Sequence, residues 1–300
     1  MFRAIILRIS VIRFDKSFVW EICPGKGNLV ISSSDKFHVR RHLENHSLLK
    51  GKKTIITGAG KGIGRSISLA YAENGAELCL VSRTQNDIDV LSEEIKSKWK
   101  SKVMSMRADV SNSLSSSSIS EDAMRLLGGI DVLVCAAGYP FQSELWNVPL
   151  HELNDSDFQK VLDVDFFGSY RLVRGVLPSM IEQRRGVIIL FSSTPAISGY
   201  NKGGPYTIAK SAVRGLAKEI ASEYGQYNVR SYAIAPGNIN TDATYGKLSA
   251  EDQKILAEES PMKRWGDPSE VASVCVVLAS DNLSFVTGQT IVVDGGTVML

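Results

Sequence analysis

From Lys52 onward, short runs of β-branched and apolar residues alternate with longer stretches of helical periodicity. Lys53–Thr57, Glu77–Val81, Val103–Met106, Asp131–Cys135, Val187–Phe191, Val229–Ala235 and Gln289–Val293 read as strands. Most are continuously apolar, the pattern of parallel strands covered on both faces. Gly64–Asn74, Asn86–Lys98, Asp157–Ile181, Tyr206–Tyr224 and Ser269–Ser280 read as helices. Asn74-Gly75 supplies a helix stop, and Pro178 is expected to mark the last turn of the longest helix. The serine-rich piece Ser111–Ser120 reads as a weak surface helix in the crossover between the third and fourth strands, with Gly128-Gly129 as its stop. The order predicts an α/β fold: one doubly wound parallel sheet of about seven strands, helices on both faces, and a ligand crevice at its switch point.

The alternation fills residues 50–300, which are expected to form one domain preceded by an N-terminal extension over 1–49. Residues 2–14 mix arginine with branched apolar residues and contain no acid. They superficially suit an organelle-targeting peptide, but an added strand, a tail or upstream sequence is the preferred reading, and they lack the small-residue cleavage site of a secretory signal. His38, His42 and His46 would share one face of a helix, but no cysteine or carboxylate cluster accompanies them, so no metal is expected.

Hydrophobic residues make up 44% of the 300, enough for a large core, and the formal net charge of +2 creates no field suited to nucleic acid or an anionic membrane. Cys23, Cys79, Cys135 and Cys275 are widely spaced and read as reduced, mostly buried residues, which suits a cytoplasmic location. The longest strongly apolar stretch, Val271 to Ala279, is too short to span a bilayer. A small-molecule partner is expected.

The first strand runs into Thr57-Gly58-Ala59-Gly60-Lys61-Gly62-Ile63-Gly64 and then a helix. Glycines in a strand-to-helix turn let backbone N–H groups approach phosphate oxygens, and the helix N-terminus favours the negative charge. This is a Rossmann-type dinucleotide cradle. Where an acidic residue would hold the ribose hydroxyls of NAD, the second strand ends in Ser82-Arg83. A guanidinium there suits a 2′-phosphate and Lys61 adds a second charge, so NADP(H) is expected in preference to NAD(H).

Tyr206 and Lys210 are spaced to share a helix face, and Ser193 follows the fifth strand. A phenol alone is a poor proton donor or acceptor at neutral pH, but a neighbouring ammonium favours its ionised form. With these residues in place, residues 50–296 resemble the short-chain dehydrogenase/reductase family, classical type. The resemblance implies that Tyr206 exchanges a proton with the substrate oxygen, Ser193 positions that oxygen, and Lys210 assists Tyr206 while holding the nicotinamide ribose. It further implies cofactor contacts from Asp109 and Val110, from Ala136, Ala137 and Gly138, and from Pro236, Gly237, Ile239 and Thr241.

Two departures from the family pattern stand out. Cys135-Ala136 replaces an Asn-Asn pair, so another group or water must satisfy the backbone there. Asp165 stands where asparagine is usual in a proton relay behind the lysine; its carboxylate is expected to pair with Lys210 and alter the pH dependence, or else to make only a structural contact.

The expected substrate rim comprises Tyr139-Pro140-Phe141, Thr194-Pro195-Ala196-Ile197, Tyr200 and the segment from Ala243 to Trp265, with Lys202 or Lys247 able to meet an acyl carrier. This apolar rim suits a 3-oxoacyl thioester or another ketone. Oxidation of an alcohol, polyol or sugar is the alternative within the class, and a non-catalytic dinucleotide-binding regulator or scaffold the alternative outside it. The resemblance also implies a homotetramer built partly from the helices around Asp157–Ile181 and Tyr206–Tyr224.

Overall fold

The computed structural model describes residues 47–299. Residues 2–14, Cys23 and the triad of His38, His42 and His46 lie outside them. Seven strands, β1 (Lys53–Thr57), β2 (Glu77–Ser82), β3 (Val103–Arg107), β4 (Val132–Cys135), β5 (Gly186–Phe191), β6 (Val229–Pro236) and β7 (Gln289–Val293), form one sheet in the order β3-β2-β1-β4-β5-β6-β7. All pairs are parallel. The expected doubly wound sheet is therefore present, and the chain reverses direction across it between β1 and β4, where a crevice must open.

The principal helices are α1 (Gly62–Glu73), α2 (Gln85–Trp99), α3 (Ser113–Leu127), α4 (Asp155–Leu162), α5 (Gly168–Gln183), α6 (Gly204–Tyr224), α7 (Ala250–Glu258) and α8 (Pro268–Ala279). Alternation along each strand feeds two cores. Ile56, Leu80, Val134 and Ile234 pack with Ile67 and Tyr71 of α1, Ile88 of α2 and Val271 and Cys275 of α8. Their neighbours Ile55, Val81, Leu133 and Ala233 face the opposite side and meet Ile119 of α3, Leu172 and Val176 of α5 and Val213 of α6. The Tyr71 hydroxyl donates to the Cys275 carbonyl (2.9 Å), which ties α1 to α8 deep in the first core. Just ahead of β1, Leu49 is fully buried and its N–H donates to the Asn74 carbonyl (3.0 Å).

Three details differ from expectation. The serine-rich piece is a surface helix with one face sunk into the core: Asn112 caps α3 by accepting from the N–H groups of Leu114 and Ser115, Leu114 is exposed, and Ile119, Ala123 and Leu127 are buried. Its serines permit close helix packing, since a Cβ at Gly175 of α5 would come within 2.2 Å of Ser120 Oγ. The single long helix is broken into α4 and α5 by a π turn at Asp163–Phe167, and Pro178 lies inside α5 instead of in its last turn. The fourth strand begins one residue late, at Val132, with Asp131 at its base, where Oδ2 accepts from the Lys53 N–H (2.9 Å) and Oδ1 lies 2.9 Å from Arg185 Nε. No described helix is long and apolar enough to cross a membrane.

Candidate active site

A cleft of about 930 Å³ opens at the carboxyl ends of the strands. Gly58, Gly60, Lys61 and Ile63 line one side of it. The cradle requires its glycines: Gly58 has φ +66° and a Cβ there would lie 2.7 Å from the Ala136 carbonyl oxygen, while a Cβ at Gly64 would lie 2.1 Å from the Gly58 carbonyl oxygen. Gly62 and Gly64 therefore sit behind the lining, Gly64 against the turn itself and Gly62 against the Thr241 side chain. The first turn of α1 carries no acid, so its N–H groups and the turn amides together fit a pyrophosphate.

At the far end of this cradle Ser82 and Arg83 line the cleft. Arg83 is exposed, and no carboxylate pairs with it among the described residues. Lys61 is less available, because its Nζ lies 3.3 Å from Asp87 Oδ2, an acid that also lines the cleft and that the sequence pattern did not single out. Asp109 Oδ1 accepts from the Ser111 N–H (2.9 Å) and hydroxyl (2.7 Å), holding the loop after β3 in place. Val110, also in the lining, is buried against Gly168, where a Cβ would come within 2.8 Å of its Cγ2.

The turn after β4 brings Ala136, Ala137 and Gly138 into the lining. The turn is tied to β1, since the Ala137 N–H donates to Thr57 Oγ1 (3.3 Å). Cys135 beneath it is buried, which pushes its thiol up to about 12 against the opposing effects of a Ser169 hydrogen bond and the Lys210 charge. On the other wall Pro236, Gly237, Ile239 and Thr241 follow β6 into the cleft. Thr194 N–H donates to the Pro236 carbonyl (3.2 Å) and Gly237 N–H to that of Val293 (3.0 Å), and Ile239 bridges to Gly266.

Ser193, Tyr206 and Lys210 all line the cleft. Ser192 Oγ donates to the Lys210 carbonyl (2.8 Å), fastening the end of β5 to α6 and setting Ser193 opposite the first turns of that helix. Lys210 Nζ lies 5.6 Å from the Tyr206 ring centroid and 3.3 Å from Asp165 Oδ1. Asp165 belongs to the π turn and is 1% exposed; Lys210 is 5% exposed. Burial alone disfavours the ammonium, yet the Asp165 carboxylate, the Tyr206 phenol and the hydrogen bond to Asp165 outweigh it and hold the lysine above its ordinary 10.5. Asp165 Oδ1 also accepts from the Tyr139 N–H (3.0 Å), while its buried Oδ2 has no partner among the described residues.

The other end of the cleft is apolar and aromatic, lined by Tyr139, Pro140, Phe141, Trp146, Tyr200 and Trp265. Thr194, Pro195 and Lys247 line it as expected, but Ala196, Ile197 and Lys202 do not. Ala196 is buried, and its carbonyl accepts from Arg214 Nη1 (2.7 Å). Sequence reasoning missed Trp146, which sits in a single helical turn, Ser143–Trp146, too short to show a period. It equally missed Thr57, whose hydroxyl matters only once β1 and β4 are paired.

The family described as enoyl-(acyl carrier protein) reductase matches residues 58–298. A 3-oxoacyl-[acyl-carrier-protein] reductase of Thermotoga maritima is 34% identical over 84% of this chain and 99% of its own. A glucose 1-dehydrogenase of Gluconobacter oxydans is 31% identical over 83% and 92% of the two chains. Among solved structures, a 3-oxoacyl-[acyl-carrier protein] reductase with bound NAD from Brucella melitensis superposes with a TM-score of 0.78 at 31% identity, covering 86% of this chain and 95% of the other. With this fold, glycine turn and tyrosine–lysine helix, the chain belongs to the short-chain dehydrogenase/reductase family and is an NAD(P)-dependent oxidoreductase acting on CH–OH/C=O groups.

Proposed function

We propose that this protein is an NADP(H)-dependent ketone reductase, with 3-oxoacyl thioesters among the carbonyl compounds it would accept. The observation that carries this reading is the buried Lys210, held between Asp165 and Tyr206, where the dinucleotide cradle meets the aromatic end of the cleft. The cradle that a Cβ would fill fits a dinucleotide, which when bound supplies or takes up the hydride. Tyr206 would give its phenolic proton to the carbonyl oxygen during reduction, and recover it from the alcohol in reverse. Ser193 would orient that oxygen. Lys210, fixed in its charged form, would stabilise the phenolate that remains and reach the nicotinamide ribose.

Preference for the 2′-phosphate rests on Arg83, which is exposed at the end of β2 with no acid paired to it among the described residues. Lys61 contributes less while it is paired with Asp87. Kinship with a glucose 1-dehydrogenase supports the second reading, oxidation of a sugar or polyol. The aromatic lining favours the ketone. A scaffold without turnover has no use for the set of Ser193, Tyr206 and Lys210. Exposed Tyr170 on α5 and Ile208 on α6 are consistent with a homotetramer through those helices.

Loss of NADPH absorbance across 3-oxoacyl thioesters, diketones and simple ketones, with NADH and Tyr206→Phe in parallel, tests the reading. Tyrosine-dependent turnover favouring NADPH is expected. Turnover confined to the oxidation of sugars would transfer the assignment to the second reading, and tight cofactor binding with no turnover in either direction would transfer it to the scaffold.

A further inference from the structure

Trp146 is the centre of the aromatic end of the cleft. Its indole centroid lies 5.6 Å from the Phe141 ring, 6.1 Å from that of Tyr200 and 5.6 Å from that of Tyr206, at interplanar angles of 56°, 45° and 58°. All four side chains line the cleft. They arrive from separate places: the loop after β4, the single turn Ser143–Trp146, the loop before α6, and the first turn of α6.

The indole is held in place by Gly203. Its N–H donates to the Trp146 carbonyl (2.8 Å), its φ is +65°, and a Cβ there would lie 2.5 Å from an indole carbon. The glycine thus combines a left-handed backbone with the absence of a side chain, and both are needed to seat the ring three residues before Tyr206. The Trp146 N–H donates to the Gln142 carbonyl (2.9 Å), which fixes the turn from the other side. A rigid, pre-positioned ring costs little ordering on binding. The site is not sealed beyond it, since Tyr200 is 51% exposed.

We propose that Trp146, backed by Phe141 and Tyr200, is the specificity-determining residue of this site and selects ketones that carry a flat aryl or conjugated group beside the carbonyl carbon. The proposal deepens the ketone-reductase reading and rests on it. A substrate carbonyl delivered to Tyr206 must place one substituent next to the ring that packs on Tyr206. Aromatic faces reward a flat π surface there by tilted or offset contact, whereas a puckered saturated ring of the same size gains only its area. Each such contact corresponds to roughly a two- to tenfold gain in kcat/KM. Trp146 touches the Tyr206 ring but has no proton to exchange with the substrate, so it acts on which substrate is held.

Acetophenone and cyclohexyl methyl ketone have the same carbon skeleton, one flat and one puckered, and form the test pair. With the full chain and NADPH, the aryl ketone is expected to have about tenfold the kcat/KM of its saturated partner. Trp146→Leu should bring the ratio close to one, Trp146→Phe should keep most of it, and Tyr200→Leu should lower it in part. A ratio near one in the parent, or one unchanged in Trp146→Leu, overturns the proposal. Titration of both ketones into the NADP⁺-saturated protein by ligand-observed NMR gives the same comparison without turnover. Absence of turnover for every carbonyl would overturn the ketone-reductase reading, while the ratio of the two dissociation constants and its loss in Trp146→Leu would still decide the role of Trp146. If Trp146→Leu fails to fold, the Trp146→Phe and Tyr200→Leu ratios decide it.

Discussion

Asp165 Oδ1 lies 3.3 Å from Lys210 Nζ, and both side chains are almost entirely buried. The pair joins the π turn to the helix carrying Tyr206, at a position where the family pattern has a neutral amide. Such a contact helps the charged lysine and leaves the second carboxylate oxygen without a partner among the described residues. Breaking it from one side leaves a buried charge alone.

Asp165→Asn keeps a side-chain oxygen that can accept from Lys210 and from the Tyr139 N–H, so it should preserve the fold and turnover while moving the pH dependence. Asp165 is the foremost of the groups that hold Lys210 above its usual value, so its neutralisation lets the lysine lose its proton at lower pH. The alkaline limb of the kcat/KM profile is expected to shift toward acid. A profile identical to that of the parent would remove Asp165 from the mechanism. Lys210→Met is the harsher change, leaving the Asp165 carboxylate unpaired, and should cost about 3–5 kcal/mol in urea denaturation.

Cofactor choice should be set at Arg83 more than at Lys61. Arg83→Ala is expected to raise the KM for NADPH about tenfold with little change for NADH, the loss of one charge-assisted contact. Lys61→Ala should do less, since that ammonium already pairs with Asp87. Asp87→Asn releases it and should lower the KM for NADPH. Equal effects of all three on the two cofactors would show that neither cation meets the 2′-phosphate.

Gly64→Ala and Gly203→Ala should fail in different ways. The new Cβ at Gly64 meets the Gly58 carbonyl oxygen at 2.1 Å, a backbone atom within the cradle, so cofactor affinity and folding should both be lost. At Gly203 the obstacle is a side chain outside the cradle, the Trp146 ring at 2.5 Å, which would be displaced from beside Tyr206. Ketone turnover is expected to fall with cofactor affinity intact, as measured by cofactor fluorescence titration.

Alkaline conditions should destabilise the protein. Burial, helped by Asp122, pushes Cys79 up to about 12 from an ordinary 9.0, burial also pushes Cys135 up to about 12, and burial raises Cys275 further. Below pH 9 these thiols are neutral in both states and their contribution is fully present. Above it the unfolded chain ionises first, and stability should fall by about 1.4 kcal/mol per pH unit for each group until the folded thiols titrate. Lys210, also raised, acts in the same direction at still higher pH. Urea midpoints from about pH 8 upward provide the check. In a Cys23→Ser variant, the three buried thiols should stay unreactive to a disulfide reagent near neutral pH until the protein unfolds.

The parts of this protein that depend on local spacing were readable from the chain alone. Continuous apolar runs marked the seven parallel strands. One helical turn places Tyr206 beside Lys210, and consecutive residues make the glycine cradle, so neither needs knowledge of distant contacts. Tertiary structure decided whatever depends on residues far apart. The sunken face of α3 could be recognised only by Gly175 lying beneath Ser120, and the break at Asp163–Phe167 occurs in a stretch with ordinary helical periodicity. Thr57 accepts from the Ala137 N–H because strand pairing brings it there, Asp87 pairs with Lys61, and Trp146 reaches Tyr206 because Gly203 leaves room for a ring. Sequence periodicity records which face of an element is buried; it carries no record of which distant side chain fills the space opposite, and the charge and shape of the cleft are set by that choice.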